Sequence, residues 1–173
     1  MITTELIDAV RSQFTLDWRG IHGVRHWARV YANGLRLASG TQANTAVIEL
    51  FALFHDCCRF SEGSDPEHGS RGAELAGVLR GRLFYMADHA FALLEEACKY
   101  HTARLYHDDV TVAICFDADR LDLGRVGNRP NPDFLCTDQA RKRATIRWAQ
   151  ERSISDYLPA NILASSLGNH KKV

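Results

Sequence analysis

The run Phe51-Ala52-Leu53-Phe54 leads directly into His55 and Asp56. An imidazole and a carboxylate at the end of a buried segment cost desolvation free energy unless something pairs with them. Partners of the right type are spread along the chain: His26, His68 just after Asp65-Pro66-Glu67, His101, and Asp119 inside CFDADRLD. A divalent transition metal takes several neutral imidazoles with one or two carboxylates, and it offsets the cost of burying them. Metal binding is the chemistry that these residue types suggest.

The other histidines and acids have simpler readings. His22, His89, His107 and His170 read as solvated or hydrogen-bonded residues, His22 being the closest to a site residue because it stands four before His26. Asp65 and Asp108 read as helix N-caps, and Asp117 and Asp122 as surface acids or acids behind the ligands. Glu49, seven before Asp56, reads as solvent-facing. The five cysteines include no CxxC pair, so they read as small buried thiols and not as a disulfide framework or thiolate site.

Helices must bring these residues together. Leu6, Val10 and Phe14 behind Thr3 or Thr4 predict a short first helix, and Val24, Trp27, Tyr31, Leu35 and Ala38 predict a second over 22–38. On the opposite face of that second helix His22, His26, Arg29 and Asn33 form a polar stripe that could line a site. Residues 44–57 are apolar nearly all round and predict a central helix whose end carries the His-Asp pair.

Asp65-Pro66 predicts a helix start running to about Arg80, with His68 in its first turn. Further helices are predicted at 87–101, at 109–122 closed by Gly124, and near 138–152, with a Gly/Asn/Pro-rich loop, Gly124–Asp133, as a lid or a connection. No segment alternates with a two-residue period. The expectation is an all-α, single-domain helical bundle over 1–173, with the motifs in about 20–125.

With 173 residues, 46% hydrophobic, the chain can bury one sizeable core. Its 21 basic residues balance 21 acidic ones without like-charge runs, which disfavours a nucleic-acid groove or a polybasic membrane patch. No apolar run is long enough to span a bilayer and MITTELIDAVRSQF lacks a signal-like core, so the expected setting is cytoplasmic.

The order His26, His55-Asp56, Asp119, in HWARVYANGLRLA, FALFHDCCRF and DADRLD, resembles the HD-domain superfamily of metal-dependent phosphohydrolases. HGSRGAELAGVLR and KYHT resemble the two extra histidine motifs of its two-metal members, matched by His68 and His101. The stretch CCRFSEGSD lacks the EDT run of alarmone hydrolases, and no GYP motif follows as in cyclic dinucleotide phosphodiesterases. The likeness is therefore to small stand-alone bacterial HD-domain proteins.

The resemblance implies that His26, His55, Asp56 and Asp119 hold one metal, and that Asp56 bridges to a second held by His68 and His101. It implies activated water attacking a small phosphorylated substrate, a phosphomonoester or phosphodiester. One or two ions of Fe, Mn, Co, Ni or Zn suit the imidazole-rich set. Arg59 and Arg120 are the cations expected to meet phosphate charge, with Arg125 and Arg129 behind them. The same ligand order resembles HD-type di-iron oxygenases, and a non-catalytic metal-binding module is a third reading.

Overall fold

The computed structural model describes residues 1–167, so His170 lies outside the described residues. The protein is all-α: α1 (Thr4–Arg11), α2 (Val24–Ala38), α3 (Thr45–Phe54), α4 (His68–Leu79), α5 (Asp88–Tyr100), α6 (Val110–Arg120), α7 (Asp138–Arg141), α8 (Arg143–Ile154) and α9 (Ile162–Ser165). Two 3-10 turns, Leu123–Val126 and Pro132–Phe134, lie between α6 and α7. No strand occurs among the described residues, only an isolated bridge between Arg80 and Phe84. None of these helices is long and apolar enough to cross a membrane.

The most apolar segment takes the middle. Asn44 caps α3 by accepting from the amides of Ala46 and Val47, and Val47, Ile48 and Leu50 through Phe54 are all buried. Each large apolar side chain enclosed there contributes about 1.5–3 kcal/mol. α3 is surrounded by α1, α2, α4, α5 and α6, while α8 and α9 cover the outer side of α2. One continuous buried cluster runs from Leu6 to Leu163.

Several element boundaries differ from expectation, each for a local reason. α1 stops at Arg11, and Phe14 packs edge-on against Trp18 and Trp27 at 5.8 and 5.2 Å. α3 stops at Phe54, which leaves His55 as its C-cap and lets Asp56 turn out of the helical repeat. α4 begins at His68 with Asp65-Pro66-Glu67 outside it. Asp65 is not an N-cap: its carboxylate accepts from the Phe60 amide at 2.8 Å and from Arg71.

The cap of α6 is Asp109 and not Asp108, accepting from Thr111 N at 2.7 Å and Val112 N at 3.3 Å. Gly124 does not close α6. It lies within the following 3-10 turn, where an added Cβ would meet Ser153 Oγ at 2.1 Å, and Gly127 (φ 80°) supplies the left-handed residue instead. The predicted 138–152 helix is broken at Lys142, whose extended backbone separates α7 from α8. The fold leaves the ends of α3 and α5 and the start of α4 beside the first turn of α2 and the last turn of α6.

Candidate metal centre

Those helix ends deliver the side chains. His26, His55, Asp56, His68 and His101 are all buried, and Asp119 keeps 14% of its side chain exposed. His26, His55 and Asp56 form one buried group able to hold a metal ion, and Asp56, His68 and His101 form another. Asp56 divides its carboxylate between them. Its Oδ2 lies 3.5 Å from His26 Nε2 and 3.7 Å from His55 Nε2, while its Oδ1 lies 3.2 Å from His68 Nε2 and 3.9 Å from His101 Nε2. Asp119 Oδ1 stands 3.4 Å from His26 Nε2, on the first group.

The outer nitrogen of each ring is fixed by an acceptor. His26 Nδ1–H donates to Asp122 Oδ2 at 2.7 Å, His55 to the Phe51 carbonyl at 3.1 Å, His101 to the Cys98 carbonyl at 2.8 Å, and His68 to the Asp65 carbonyl. A ring that donates from Nδ1 presents the Nε2 lone pair inward, which is how a metal-ligating imidazole is oriented. Yet His26 Nε2 meets His55 Nε2 at 3.1 Å, and His68 Nε2 meets His101 Nε2 at 3.0 Å. Two facing lone pairs at that distance repel unless a proton or a cation stands between them.

The titration behaviour follows that geometry. Burial and Arg125 oppose charge on His26, but the carboxylates of Asp119, Asp122 and Asp56 outweigh them and raise it to about 9. Burial pushes His55 down to about 3. In the second group burial opposes charge on His68 but bonding to Asp56 raises it, while burial lowers His101. Despite burial, the surrounding imidazoles hold Asp56 well below the usual carboxylate range, and His26 and Arg125 do the same for Asp119. The surroundings thus favour a proton on His26 in the first group and shift His68 in the same direction in the second, both beside shared carboxylate charge, and a divalent ion would replace such a proton with a stronger counter-charge. The donor set fits a transition metal.

The arginines are distributed differently from expectation. Arg59 places Nη1 3.4 Å from Asp56 Oδ1 and 3.3 Å from His68 Nε2, while Nη2 donates to the Gly63 carbonyl at 2.8 Å. Arg120 does not direct its guanidinium at the ligands. Its Nη1 donates to the carbonyls of Leu105 at 2.5 Å and Phe134 at 2.9 Å, and its Nη2 to those of His101 at 3.2 Å and Arg104. It straps the loop after α5 to the loop before α7. Arg125 is the cation beside Asp119, with Nη2 3.9 Å from Oδ1.

The polar stripe of α2 also divides. His22 precedes the helix and is buried against Glu62, whose carboxylate it contacts through Nδ1. Arg29 donates to Asp122 at 2.7 and 3.1 Å and to Asp156 at 2.7 Å, and Asn33 donates to the Ala118 carbonyl at 3.0 Å. These two residues tie α2 to α6 and to the segment after α8; they do not line the centre. Asp122 therefore stands behind His26 and is neutralised by Arg29. The signal in the sequence was its spacing, three residues after Asp119, matched by Arg29 three after His26.

Asp117, in the last turn of α6, is buried and accepts from Cys136 N at 2.6 Å and from Thr137 N and Oγ1 at 2.8 Å. Burial raises its carboxyl even so. His107 accepts from Asp109 N at 3.0 Å, His89 is exposed, and Glu49 lies 3.6 Å from the N-terminal ammonium, all away from the centre. All five cysteines are free thiols, with Cys57, Cys98 and Cys115 buried and Cys58 and Cys136 half-buried.

No family model, curated protein or solved structure matches this chain.

Proposed function

We propose that the chain is a metal-dependent phosphohydrolase of the HD-domain type, acting on a phosphomonoester or phosphodiester at a two-ion centre. One observation carries this reading: a single buried carboxylate, Asp56, offers one oxygen to His26 and His55 and the other to His68 and His101. Divalent ions held there supply water activation and charge neutralisation for an in-line phosphoryl displacement. Asp56 links the two positions, Asp119 completes the first, and the carbonyls behind His55, His68 and His101 hold the rings in their ligating tautomer.

Arg59, buried against Asp56 and His68, and Arg125, beside Asp119, flank the centre on two sides. Both stand where they would meet developing negative charge on phosphoryl oxygens. The test is phosphate release from a panel of phosphate esters, together with metal content by elemental analysis, for wild type and Asp56→Ala. Turnover lost together with metal, with helical circular dichroism retained, supports the proposal. Unchanged turnover in Asp56→Ala refutes it, and oxygen consumption by an iron-loaded protein in place of phosphate release would transfer the centre to oxygenase chemistry.

A further inference from the structure

The two thiols that follow Asp56 are in contact: Cys57 Sγ and Cys58 Sγ lie 3.6 Å apart, Cys57 fully buried and Cys58 half-buried. We propose that Cys57 and Cys58 form a modification site, oxidised by a hydroperoxide to a vicinal disulfide that releases metal from the neighbouring centre. The disulfide needs no metal to form; its effect on the centre rests on the two-ion reading of Asp56.

The two sulfurs have different roles. Cys58 is reachable from solvent, and the Arg71 guanidinium donates to its carbonyl at 3.1 and 2.9 Å, which fixes the turn that presents it. Cys57 has no exposed surface and packs behind it, near Gly72 of α4, where an added Cβ would stand 3.7 Å from its sulfur. An oxidant therefore meets Cys58 first.

The Cys58 sulfur attacks one peroxide oxygen and the O–O bond breaks. The departing oxygen takes up the thiol proton, and a sulfenic acid remains on Cys58. The Cys57 sulfur then displaces the sulfenic hydroxyl, which leaves as water with the Cys57 proton as the S–S bond forms. Each sulfur loses one electron, and hydrogen peroxide is reduced to two waters. Cys136 is half-buried too, but its sulfur meets the Leu105 carbonyl at 3.2 Å and Arg120 Nη1 at 3.7 Å, with no second thiol in contact among the described residues. Oxidation there has no neighbouring sulfur to resolve it, whereas at Cys58 the resolving thiol is in place.

The ring so formed is a labile one. Neighbouring Cα atoms stand about 3.8 Å apart across a trans peptide, closer than the roughly 4.4–6.8 Å of ordinary disulfides, and such strain makes a disulfide easier to reduce. The sulfurs must close from 3.6 Å to about 2.05 Å, so the Cys57–Cys58 peptide and the Asp56 backbone leading into it must turn. Metal–ligand distances tolerate only about 0.2 Å. Turning Asp56, whose two oxygens face both imidazole pairs, therefore opens both positions.

The experiment treats zinc-loaded protein with a stoichiometric amount of hydrogen peroxide, zinc being redox-inert so that only the chain is oxidised. Three quantities are read: the mass of tryptic peptide 37–59, which holds Cys57, Cys58 and no other cysteine, the count of free thiols, and bound zinc. The proteins are wild type, Cys58→Ser, Cys57→Ala and Cys98→Ala, with thermal melting to verify folding. In wild type the peptide should lose two hydrogens, the five free thiols should fall by two, and zinc should be released, all reversed by dithiothreitol and fresh zinc. Cys58→Ser should keep its zinc and the mass of its peptide. Cys57→Ala should gain oxygen on Cys58 in place of losing hydrogens, and Cys98→Ala should behave as wild type. Five free thiols after treatment of wild type, or peptide 37–59 joined to the peptide of Cys98 or to a second copy, overturns the proposal. Zinc fully retained by the disulfide form, or lost equally from Cys58→Ser, overturns the link to Asp56. Untreated protein that binds no zinc or other transition metal removes the two-ion reading, and the disulfide is then decided by the peptide mass alone.

Discussion

Gly69→Ala should separate the two metal positions. Gly69 follows His68 in the first turn of α4, where the helix crosses the end of α5. A Cβ at this position would stand 2.0 Å from the Cys98 carbonyl oxygen and 3.2 Å from Cε1 of His101. That oxygen is the acceptor that orients His101, at 2.8 Å from Nδ1. A non-bonded carbon keeps about 3.3 Å from a carbonyl oxygen, so α4 and α5 must part by roughly 1 Å.

Metal–ligand distances tolerate only about 0.2 Å, so His68 and His101 no longer serve one ion. His26, His55, Asp56 and Asp119 sit on α2, α6 and the end of α3, away from the collision, and keep theirs. Helix propensity opposes the packing cost, since Ala is favoured over Gly by about 1 kcal/mol, but overpacking costs about 1–3 kcal/mol and should win. Gly77→Ala is the control on the same helix: its Cβ would meet only Phe91 Cζ at 3.7 Å, an ordinary contact, so it should stabilise. The assay is metal content by elemental analysis with denaturant unfolding of both variants. A fall from about two equivalents to one in Gly69→Ala, and none in Gly77→Ala, is expected. Two equivalents retained at undiminished affinity in Gly69→Ala would refute the reasoning.

Removing the acceptor behind His26 should be costly in two ways. Asp122→Ala leaves the buried Arg29 guanidinium without its main counter-charge, for about 3 kcal/mol of lost stability, and frees the His26 ring, for roughly 10- to 100-fold weaker metal binding. Denaturant unfolding of the metal-free variant that shows under 1 kcal/mol of loss would contradict this account. The pH dependence has a definite sign. His26 is raised from 6.5 to about 9 in the folded protein, so its charged form contributes stability that is complete below pH 6.5 and is lost as pH climbs through 9. Chelator-treated protein should therefore unfold more easily at pH 9 than at pH 6.5, and metal-loaded protein, in which the ion has displaced the proton, should not. A denaturation midpoint that does not change between those pH values in the metal-free protein would rule this out.

The sequence by itself determined the helical class and the residue types of the candidate metal centre. The all-round apolar stretch 44–54 has only one place in a helical protein, and chain connectivity then puts His55 and Asp56 at the end of the most buried helix. It also determined most of the candidate set, because a costly buried histidine or aspartate is visible as such in an apolar context. It did not determine which cations stand near that set. Arg120 adjoins Asp119 in sequence, but on a helix adjacent residues point about 100° apart, so it faces the loops while Arg125, five further on and past the helix end, comes back to Asp119.

Helix starts were legible only to within a few residues: the Thr111 and Val112 amides take Asp109 and not its neighbour Asp108, while Arg71 and the Phe60 amide claim Asp65 from the start of α4. Only the tertiary structure decided that Asp122 stands behind His26 and that Asp56 faces two imidazole pairs with opposite oxygens. These are relations between segments up to 96 residues apart, as His26 and Asp122 are. Local pattern encodes which face of a helix is buried, whereas the partner of a buried polar atom is chosen by packing, through the requirement that it not be left unsatisfied.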